Sequence, residues 1–370
     1  MKKILIIAAY PKSLVNFRGE LLKTLASMGN EVIAMASGAT AQETKDIENL
    51  GVKYIDYPVK RNGLNPIQDF KTYLALKGIM KQEKPDIVFA YTIKPIIWGG
   101  LAANNLNNVN FHALVTGLGF AFQKEGFVKN ILVKLVSSLY KKALKNSKSI
   151  IFQNSDNRDV FVKNNLIVTE NIHLVNGSGV DLQRFSYVEA DGRNIKFLLI
   201  ARLLKDKGIA EYIEAAKIVK QQFPDADFEL IGPEDPSPNG YSINELRKYD
   251  KLGIIKYLGS IDNVVPYIQN CHVYILPSYH EGLPKTVIES MAIGRPIITT
   301  HAPGCRDTVV DGKNGFLVPV KDSKILAEKM IWFIKNKEQI NIMGKQSRIY
   351  AENKYDVHKV NSVILKILEL

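Results

Sequence analysis

Cysteine and histidine are scarce in this chain of 370 residues, which holds two cysteines and six histidines. No C-x-x-C or H-x-x-x-H spacing occurs, so a zinc site is not expected. The two cysteines, Cys271 and Cys305, are too few for a disulfide framework and suit a reducing compartment. Cys271 lies among apolar residues, and we expect it to belong to a core.

Long hydrophobic runs are also missing, since no window approaches the roughly 20 apolar residues of a membrane span. The first residues, MKKILIIAAYPKS, hold an apolar run of only about seven residues without a small-residue cleavage site. This pattern is typical of a β-strand rather than of a signal peptide. We therefore expect a cytoplasmic protein, either soluble or peripheral at a membrane.

The glycine-rich nucleotide motifs are absent. The first strand is followed by AAYPKSLVNFRGE, which matches neither G-x-G-x-x-G nor G-x-x-x-x-G-K-[ST]. This excludes the usual nicotinamide-dinucleotide and P-loop sites. Asn16, Arg18 and Gly19 are nevertheless expected at the start of the first helix, at the ligand-binding edge. The alternative for Arg18 is an ordinary surface position.

Acidic residues are few in one part of the chain. The formal net charge is +12, and residues 1–190 hold 24 basic against 15 acidic side chains. Within residues 101–150, seven lysines accompany a single acid, Glu125. Such a patch suits nucleic acid, an anionic membrane or a phosphorylated substrate, but also a merely solvated face.

Short apolar runs alternate with helical patterns from end to end, and the pattern restarts near residue 195. This alternation predicts parallel sheets covered by helices on both faces, as in doubly wound α/β domains. We expect one domain at residues 1–180 and a second at 190–350, joined by the polar, glycine-rich stretch 177–192. A C-terminal helix at about 352–370 is expected to pack back on the first domain. Two such domains facing a central cleft would bind ligands at their carboxyl strand edges.

The most informative stretch is PSYHEGLPKTVIESMAIGRP, at 277–296, in which Glu281 and Glu289 lie eight residues apart. We expect Pro284 in the first turn of a helix, because a missing N–H costs nothing there. Glu281 and the N–H groups of Gly282 and Leu283 would then lie at the positive end of that helix. His280 would line the same site. The pattern favours a hydroxylated, phosphorylated ligand.

A second cluster of polar residues follows the first strand of the second domain. In FLLIARLLKDKG, Arg202 and Lys207 come after the strand and immediately before a helix. Two cations at this position predict a clamp for a diphosphate. The alternative is that both are surface cations on a loop.

Two further motifs are weaker. Thr116 and Gly117, in TGLG at 116–119, follow a strand, and close glycines allow a ligand to approach the backbone. A simple tight turn explains them equally well. Asp225 and Asp227 match D-x-D literally, but we interpret them as a turn followed by a strand, so no metal is expected.

The segment FVKNILVKLVSSLYKKALKN, at 127–146, is amphipathic. At about 100° per residue its lysines share one face, while Ile131, Leu135 and Leu139 lie away from them. The helix would either rest on anionic lipid headgroups or be an ordinary surface helix packed on the sheet. The lysines expected to contact the membrane are Lys134, Lys141, Lys142 and Lys145.

At this point the sequence resembles glycosyltransferase family 4, retaining nucleotide-sugar transferases of the GT-B fold. The stretch SYHEGLPKTVIESMAIGRPIITT contains an E-x7-E motif of that family, and ARLLKDKG, VNGSGVDLQRF and VVDGKNGFLVP match in order. NFRGELLKTL and LVTGLGFAF are similar to enzymes that extend undecaprenyl-diphosphate-linked sugars, such as bacterial N-acetylgalactosaminyltransferases.

The resemblance implies that Arg202 and Lys207 neutralise the donor diphosphate and that Glu289 binds the ribose hydroxyls. It also implies that Glu281 contacts the donor sugar and that no metal or other cofactor takes part. The expected reaction transfers a sugar, N-acetylgalactosamine being favoured, from a UDP-sugar to a polyprenyl-diphosphate-linked saccharide at the inner membrane face.

Alternatives are a transferase of the same fold with a soluble or other lipid acceptor and, remotely, a nucleic-acid-binding protein. Because no nucleic-acid-binding module is recognisable, nucleic acid is not an expected partner. The segment LVNFRG departs from the Gly-Gly turn common in the family, Asp307 stands where glutamate is common, and no histidine in the first domain is assignable to catalysis.

Overall fold

The computed structural model describes residues 1–60, 65–118, 127–167, 171–191, 194–237 and 239–370, with the backbone alone at 127–132. The chain divides into two compact units. Unit 1 comprises Met1–Ser178 and Val360–Leu370, and unit 2 comprises Gly179–Lys359. The chain therefore leaves unit 1 once and returns to it at the end.

Unit 1 alternates strands and helices. In chain order its elements are β1 (Lys3–Ile7), α1 (Pro11–Ser27), β2 (Glu31–Ala36), α2 (Ala41–Glu48), β3 (Lys53–Asp56), α3 (Pro66–Glu83), β4 (Ile87–Tyr91), α4 (Ile93–Ala103), β5 (Asn110–Val115), α5 (Phe127–Ala143), β6 (Ser149–Phe152), α6 (Ser155–Lys163) and β7 (Ile172–Leu174). The strands form one parallel sheet in the order β3-β2-β1-β4-β5-β6-β7. The order reverses between β1 and β4, which is where open α/β sheets bind ligands.

Unit 2 repeats this plan with a different sequence. Its elements are β8 (Lys196–Ile200), α7 (Ile209–Gln222), β9 (Asp227–Ile231), α8 (Ile243–Lys251), β10 (Lys256–Tyr257), α9 (Val265–Asn270), β11 (Val273–Leu276), α10 (Lys285–Ile293), β12 (Ile297–Thr300), β13 (Gly315–Val318), α11 (Ser323–Lys335) and α12 (Glu338–Tyr350). The parallel sheet has the order β10-β9-β8-β11-β12-β13, which reverses between β8 and β11. The predicted doubly wound α/β architecture is confirmed.

Both sheets are covered on both faces, which explains why their central strands are apolar along their whole length. In β1, for example, Ile4 and Ile6 belong to one buried cluster while Leu5 and Ile7 belong to another. Alternate side chains of a strand point to opposite faces, so each face of the sheet has its own core. In unit 2, α7 and α11 cover one face and α10 the other.

The last helix, α13 (Val357–Ile367), begins in unit 2 and ends in unit 1. Its buried residues Val360 and Ile364, together with Leu368 just after its end, join the cluster that holds Ile4 and Leu21. Their spacing of four residues places them on one face of the helix. The C-terminal residues therefore complete a core whose other buried members lie between Ile4 and Val175.

The first helix differs from the prediction. The sequence analysis expected the first helix to start near Asn16, Arg18 and Gly19, but α1 begins at Pro11 and ends at Ser27. Proline stands at its first turn, where the fixed φ angle favours a helix and no N–H is needed. As a result, Asn16, Arg18 and Gly19 lie in the middle of α1 rather than at its start.

The turns after β8 and β11 lie close together in unit 2. Gly208 has a φ angle of 73°, and a Cβ atom there would overlap the carbonyl oxygen of Pro277. Glycine is required at this position for two reasons, the left-handed backbone and the close approach of the second turn.

In the part of the chain that the structure describes, no helix is both long and apolar enough to cross a membrane.

Gly208→Ala is expected to destabilise unit 2, measured as the melting temperature. Gly312→Ala is the matched control, because Gly312 has a φ angle of 74° but nothing within 4 Å of its Cβ position. Left-handed backbone alone costs about 1–2 kcal/mol for a residue with a Cβ atom. The Gly208→Ala protein should melt several degrees below the Gly312→Ala protein. Equal melting temperatures would show that the two turns do not need this close approach.

Candidate functional site

The turn after β8 carries the two predicted cations. Ile200 ends the strand, Arg202 follows, and Lys207 ends a single 3₁₀ turn, Lys205–Lys207, before α7. The Nη1 atom of Arg202 donates to Oδ2 of Asp235 at 2.8 Å. The Arg202 side chain remains 43% exposed, whereas that of Asp235 is 8% exposed. The guanidinium is thus anchored on one side and accessible on the other.

Asp235 is held in its charged form. Its burial would raise the pKa, but hydrogen bonds from Ser237 and the nearby charge of Arg202 lower the pKa below its ordinary value. A carboxylate that stays ionised keeps its guanidinium partner in place. The sequence did not predict this role for Asp235, because the pair joins two turns that lie 33 residues apart.

Lys207 meets the first glutamate of the E-x7-E motif. Its Nζ atom lies 2.5 Å from Oε1 of Glu281, and both side chains are about 15% exposed, at 15% and 16%. The ion pair links the turn after β8 to the loop after β11, across the point where the strand order reverses. A mostly buried, charge-assisted pair of this kind fixes both side chains more firmly than a surface pair does.

The loop after β11 is held by several polar contacts. The Ser278 hydroxyl donates to the carbonyl of Asp206 at 3.2 Å, and the Tyr279 N–H donates to the same oxygen at 2.8 Å. The Thr300 hydroxyl, at the end of β12, donates to the carbonyl of Ser278. The Glu281 N–H donates to the carbonyl of Pro303 at 2.9 Å. The position of Glu281 is therefore set by its neighbours on both sides.

Helix α10 starts one residue later than Pro284. This residue is the N-cap, with an extended ψ angle of 110°, and the helix runs from Lys285 to Ile293. The prediction that Pro284 lies within the first turn is therefore wrong. Gly282 and Leu283 precede the helix, in the same loop as the half-buried His280 and Glu281.

Glu289 lies one turn into α10 and is only 7% exposed. Its Oε1 atom is 3.6 Å from Nζ of Lys285, four residues earlier on the helix. Burial raises the pKa of Glu289, and the charges of Lys285 and Arg184 oppose that shift. Lys285 also donates to the carbonyl of Gly179 at 3.3 Å. Glu281 and Glu289 are thus each matched to a different lysine.

The sequence prediction missed Lys285 and Arg184. Lys285 was detectable, because a lysine four residues before a helical glutamate lies on the same helix face. Arg184 gave no signal, since it lies in the polar stretch before the second sheet and its charge acts across space. Arg184 and Lys285 thus place two cations near Glu289. Arg202, Lys207 and Glu281 lie in the turns after β8 and β11 of the same unit.

The predicted residues of α1 are placed differently from one another. Asn16 is exposed, whereas Arg18 is 2% exposed and Gly19 is buried. The guanidinium carbon of Arg18 lies 5.4 Å from the ring centroid of Tyr91, the last residue of β4. The surface alternative for Arg18 is therefore wrong.

Thr116 and Gly117 follow β5 and are half-buried. A Cβ atom at Gly117 would meet nothing within 4 Å, so open space borders the backbone at this position. The remaining glycine of this motif, Gly119, lies outside the described residues.

The predicted basic helix is shorter than expected. α5 ends at Ala143, so Lys145 lies beyond it, and Lys134, Lys141, Lys142 and Lys145 are all exposed. Val136 and Tyr140 are buried against the sheet, whereas Leu135 is 54% exposed. The apolar side of the helix is therefore not fully buried. The side chain of Ile131 lies outside the described residues.

Residues suited to metals are dispersed. Within the described ranges, no group of three or more histidine, cysteine, aspartate or glutamate side chains is placed to hold a metal ion. Asp225 lies in a turn and Asp227 begins β9. His112 donates to or accepts from the Ser149 hydroxyl at 2.8 Å, and burial lowers its pKa to about 4.

Two curated relatives match most of the chain. An N,N'-diacetylbacillosaminyl-diphospho-undecaprenol alpha-1,3-N-acetylgalactosaminyltransferase from Campylobacter jejuni is 28% identical, covering 96% of each chain. A UDP-Gal:alpha-D-GlcNAc-diphosphoundecaprenol alpha-1,3-galactosyltransferase from Escherichia coli is 26% identical, covering 82% of this chain and 80% of the relative.

Solved structures show the same fold. Anabaena HepE in complex with UDP and glucose superposes with a TM-score of 0.82 at 17% identity, covering 100% of both chains. A sucrose-phosphate synthase from Thermosynechococcus elongatus gives a TM-score of 0.81 at 17% identity, covering 100% of this chain and 98% of that one. The architecture of paired Rossmann-like units is that of GT-B glycosyltransferases.

Family models match both units. Residues 181–350 match the family described as Glycosyl transferases group 1, and residues 3–154 match the family described as Glycosyl transferase 4-like. Since the two matches together span nearly all of both sheets, the chain belongs to the glycosyltransferases and is a transferase enzyme.

Proposed function

We propose that this enzyme transfers an N-acetylhexosamine, with N-acetylgalactosamine favoured, from a UDP-sugar to an undecaprenyl-diphosphate-linked saccharide during assembly of a surface polysaccharide or glycan. The observation that carries the proposal is the Lys207–Glu281 ion pair, which brings together the two motifs of unit 2. Arg202 and Glu289 lie in the same two segments. The names of the two curated relatives support the donor and acceptor classes.

On the donor side, Arg202 and Lys207 bind the diphosphate of the UDP-sugar. Lys207 is paired with Glu281 before the donor arrives, and the diphosphate provides a stronger anionic partner. Glu281 is then released to accept hydrogen bonds from the donor sugar. Glu289 accepts hydrogen bonds from the ribose hydroxyls, and the loop of His280, Gly282, Leu283 and Pro284 borders the sugar and phosphate.

The reaction proceeds with retention of configuration. The bond between the anomeric carbon and the diphosphate oxygen breaks, and the acceptor oxygen bonds to the same face of that carbon. The departing diphosphate takes the acceptor's proton. Arg202 and Lys207 are cations already in place for the charge that grows on the diphosphate, which is electrostatic stabilisation without a metal.

On the acceptor side, unit 1 provides Asn16, Arg18, Gly19, Thr116 and Gly117. The exposed lysines of α5 hold the enzyme on the anionic inner face of the cell membrane, where a polyprenyl-linked acceptor lies. The exposure of Leu135, two helical turns before Lys142 on α5, favours this over a soluble acceptor, because an apolar side chain can enter the headgroup region. A transferase with a soluble acceptor is the second candidate.

The proposal predicts transfer from a single UDP-sugar in the presence of EDTA. The purified enzyme is incubated with UDP-GalNAc, UDP-GlcNAc, UDP-Gal, UDP-Glc or GDP-mannose and a short-chain polyprenyl-diphosphate-sugar, and products are measured by mass. Arg202→Ala and Glu289→Ala should each lower kcat/KM at least about 100-fold, because each removes a charged contact to the donor.

The matched controls are Lys205→Ala, an exposed cation two residues before Lys207, and Glu328→Ala, an exposed carboxylate on α11. Both should retain normal turnover. Near-normal turnover of either site variant would contradict the proposed donor site. A product formed only after addition of a divalent metal would contradict the metal-free mechanism.

Donor affinity should depend on pH through Glu289. Because burial raises the pKa of Glu289, its protonation begins at pH values above the ordinary carboxyl value of 4.5. A carboxylate that accepts hydroxyl donors binds best when ionised, so affinity should fall as the pH is lowered towards this raised pKa. The stability of the ligand-free protein should change in the opposite direction. It should rise as the pH falls through the raised pKa of Glu289, because protonation removes a buried charge.

The measurement is the Kd of a UDP-sugar by calorimetry from pH 8 to pH 5. A UDP-sugar is preferable to UDP, whose terminal phosphate itself titrates near pH 6. Glu289→Gln should bind more weakly at pH 8 and show a flatter profile. Identical pH profiles in the two proteins would rule out a ligand contact by the Glu289 carboxylate.

The basic helix should determine membrane binding. The Lys141→Glu, Lys145→Glu double variant should lose binding to liposomes that contain anionic lipid at low salt, since each lysine near such a surface contributes about 1 kcal/mol. The control is Lys248→Glu, Lys251→Glu, an identical charge change at two exposed lysines of unit 2. Unchanged sedimentation of the first variant with the liposomes would remove α5 as the membrane contact.

A further inference from the structure

Arg18 is a buried cation without a matching anion. The residue is 2% exposed, and its Nε and Nη1 atoms are buried without a hydrogen-bond partner. No salt bridge to a carboxylate of the described residues involves it. The guanidinium carbon lies 5.4 Å from the centroid of the Tyr91 ring, which is a cation–π contact.

Such an arrangement is costly in the empty protein. Burial lowers the pKa of Arg18 to about 10, so the side chain remains charged at neutral pH. A buried charge that lacks an ion-pair partner, and of which the Nε and Nη1 atoms lack hydrogen bonds, loses hydration without full compensation. The face of an aromatic ring offsets only part of that loss. An anionic ligand would supply what is missing.

The guanidinium lies at the ligand-binding edge of unit 1. Tyr91 ends β4, which pairs with β1 at the point where the strand order reverses. Helix α1 follows β1 and helix α4 follows β4, so both helices start at this edge. The Tyr91 hydroxyl lies 2.9 Å from the hydroxyl of Ser13 in the first turn of α1. Arg18, Tyr91 and the start of α1 are thus adjacent.

Both helix starts suit an anion. Neither N-cap residue, Tyr10 or Thr92, caps its helix with a side-chain hydrogen bond, and neither first turn contains an acid. The Oγ1 atom of Thr92 is buried without a hydrogen-bond partner. Helix N-termini attract phosphate groups through their N–H donors and dipoles. A planar guanidinium binds phosphate oxygens in pairs.

We propose that Arg18, with the starts of α1 and α4, forms a diphosphate-binding site in unit 1. This deepens the proposed function and rests on it, because the proposed acceptor carries its saccharide on a diphosphate. Three unpartnered N–H donors on Nε and Nη1 of Arg18, together with the dipoles of two helix starts, favour a ligand with several negative charges, such as a diphosphate. The two possible sources of this group are the acceptor lipid and the nucleotide.

The test is calorimetric titration of the whole chain with inorganic diphosphate and with geranyl diphosphate, first without UDP and then after the nucleotide site has been saturated with UDP. The wild-type protein should bind both. Arg18→Met should bind both at least tenfold more weakly, and Arg18→Lys, which keeps the charge but loses the planar fork, several-fold more weakly. Arg158→Met is the control, because Arg158 is an arginine of unit 1 whose side chain is 36% exposed and paired with Asp159.

Melting temperature separates this role from a structural one. If Arg18 serves a ligand, Arg18→Met removes an unpaired buried charge, and the melting temperature of the empty protein should stay the same or rise. If Arg18 serves only packing against Tyr91, the melting temperature falls while diphosphate affinity in Arg18→Lys matches that of wild type. The second result would overturn the proposal.

The titrations with and without UDP also show whether the diphosphate belongs to the acceptor lipid or to the nucleotide. They separate failure of the Arg18 site from failure of the proposed donor function. Diphosphate binding that persists under saturating UDP assigns the site to the acceptor, whereas Arg18-dependent binding displaced by UDP assigns it to the nucleotide. Diphosphate affinity in Arg18→Met within twofold of wild type would overturn the site. Absence of UDP binding in the wild-type protein would instead contradict the proposed donor function and leave the Arg18 result to be judged by itself.

Discussion

The close approach of two turns in unit 2 is the constraint on which the site depends. The backbone at Gly208 meets the carbonyl of Pro277 so closely that no side chain fits between them. That approach brings the residue before Gly208, Lys207, to the loop that carries Glu281. The same loop continues into α10 and Glu289. One backbone contact therefore helps to arrange three charged groups, Lys207, Glu281 and Glu289, from two separate segments of the sequence.

The sequence predicted the features that local patterns determine. Short apolar runs alternating with helical patterns indicated the two parallel sheets, and the E-x7-E spacing identified the loop and helix of the site. The sequence did not predict the features that depend on contacts between residues far apart in the chain. The start of α1 was missed because its first turns lack a clear apolar period, and the burial of Arg18 depends on Tyr91, a residue of another strand.

The two units share a strand order but differ in how they treat charge. In unit 2, the cations Arg202, Lys207 and Lys285 each have a carboxylate partner within 3.6 Å. In unit 1, Arg18 is buried at the corresponding reversal of strand order with a tyrosine ring beside it. A cation and its carboxylate partner have zero net charge together until a ligand displaces the carboxylate, whereas an unpaired buried cation adds a positive potential from the outset.

The passage of α13 from unit 2 into unit 1 has a consequence for the order of folding. During synthesis, the sheet of unit 1 leaves the ribosome before unit 2, but Val360, Ile364 and Leu368, which complete one face of its core, leave only after unit 2. Domains whose segments are continuous can fold as they emerge. This one must wait, with the apolar face beside Ile4 and Leu21 exposed to chaperones while all of unit 2 is translated.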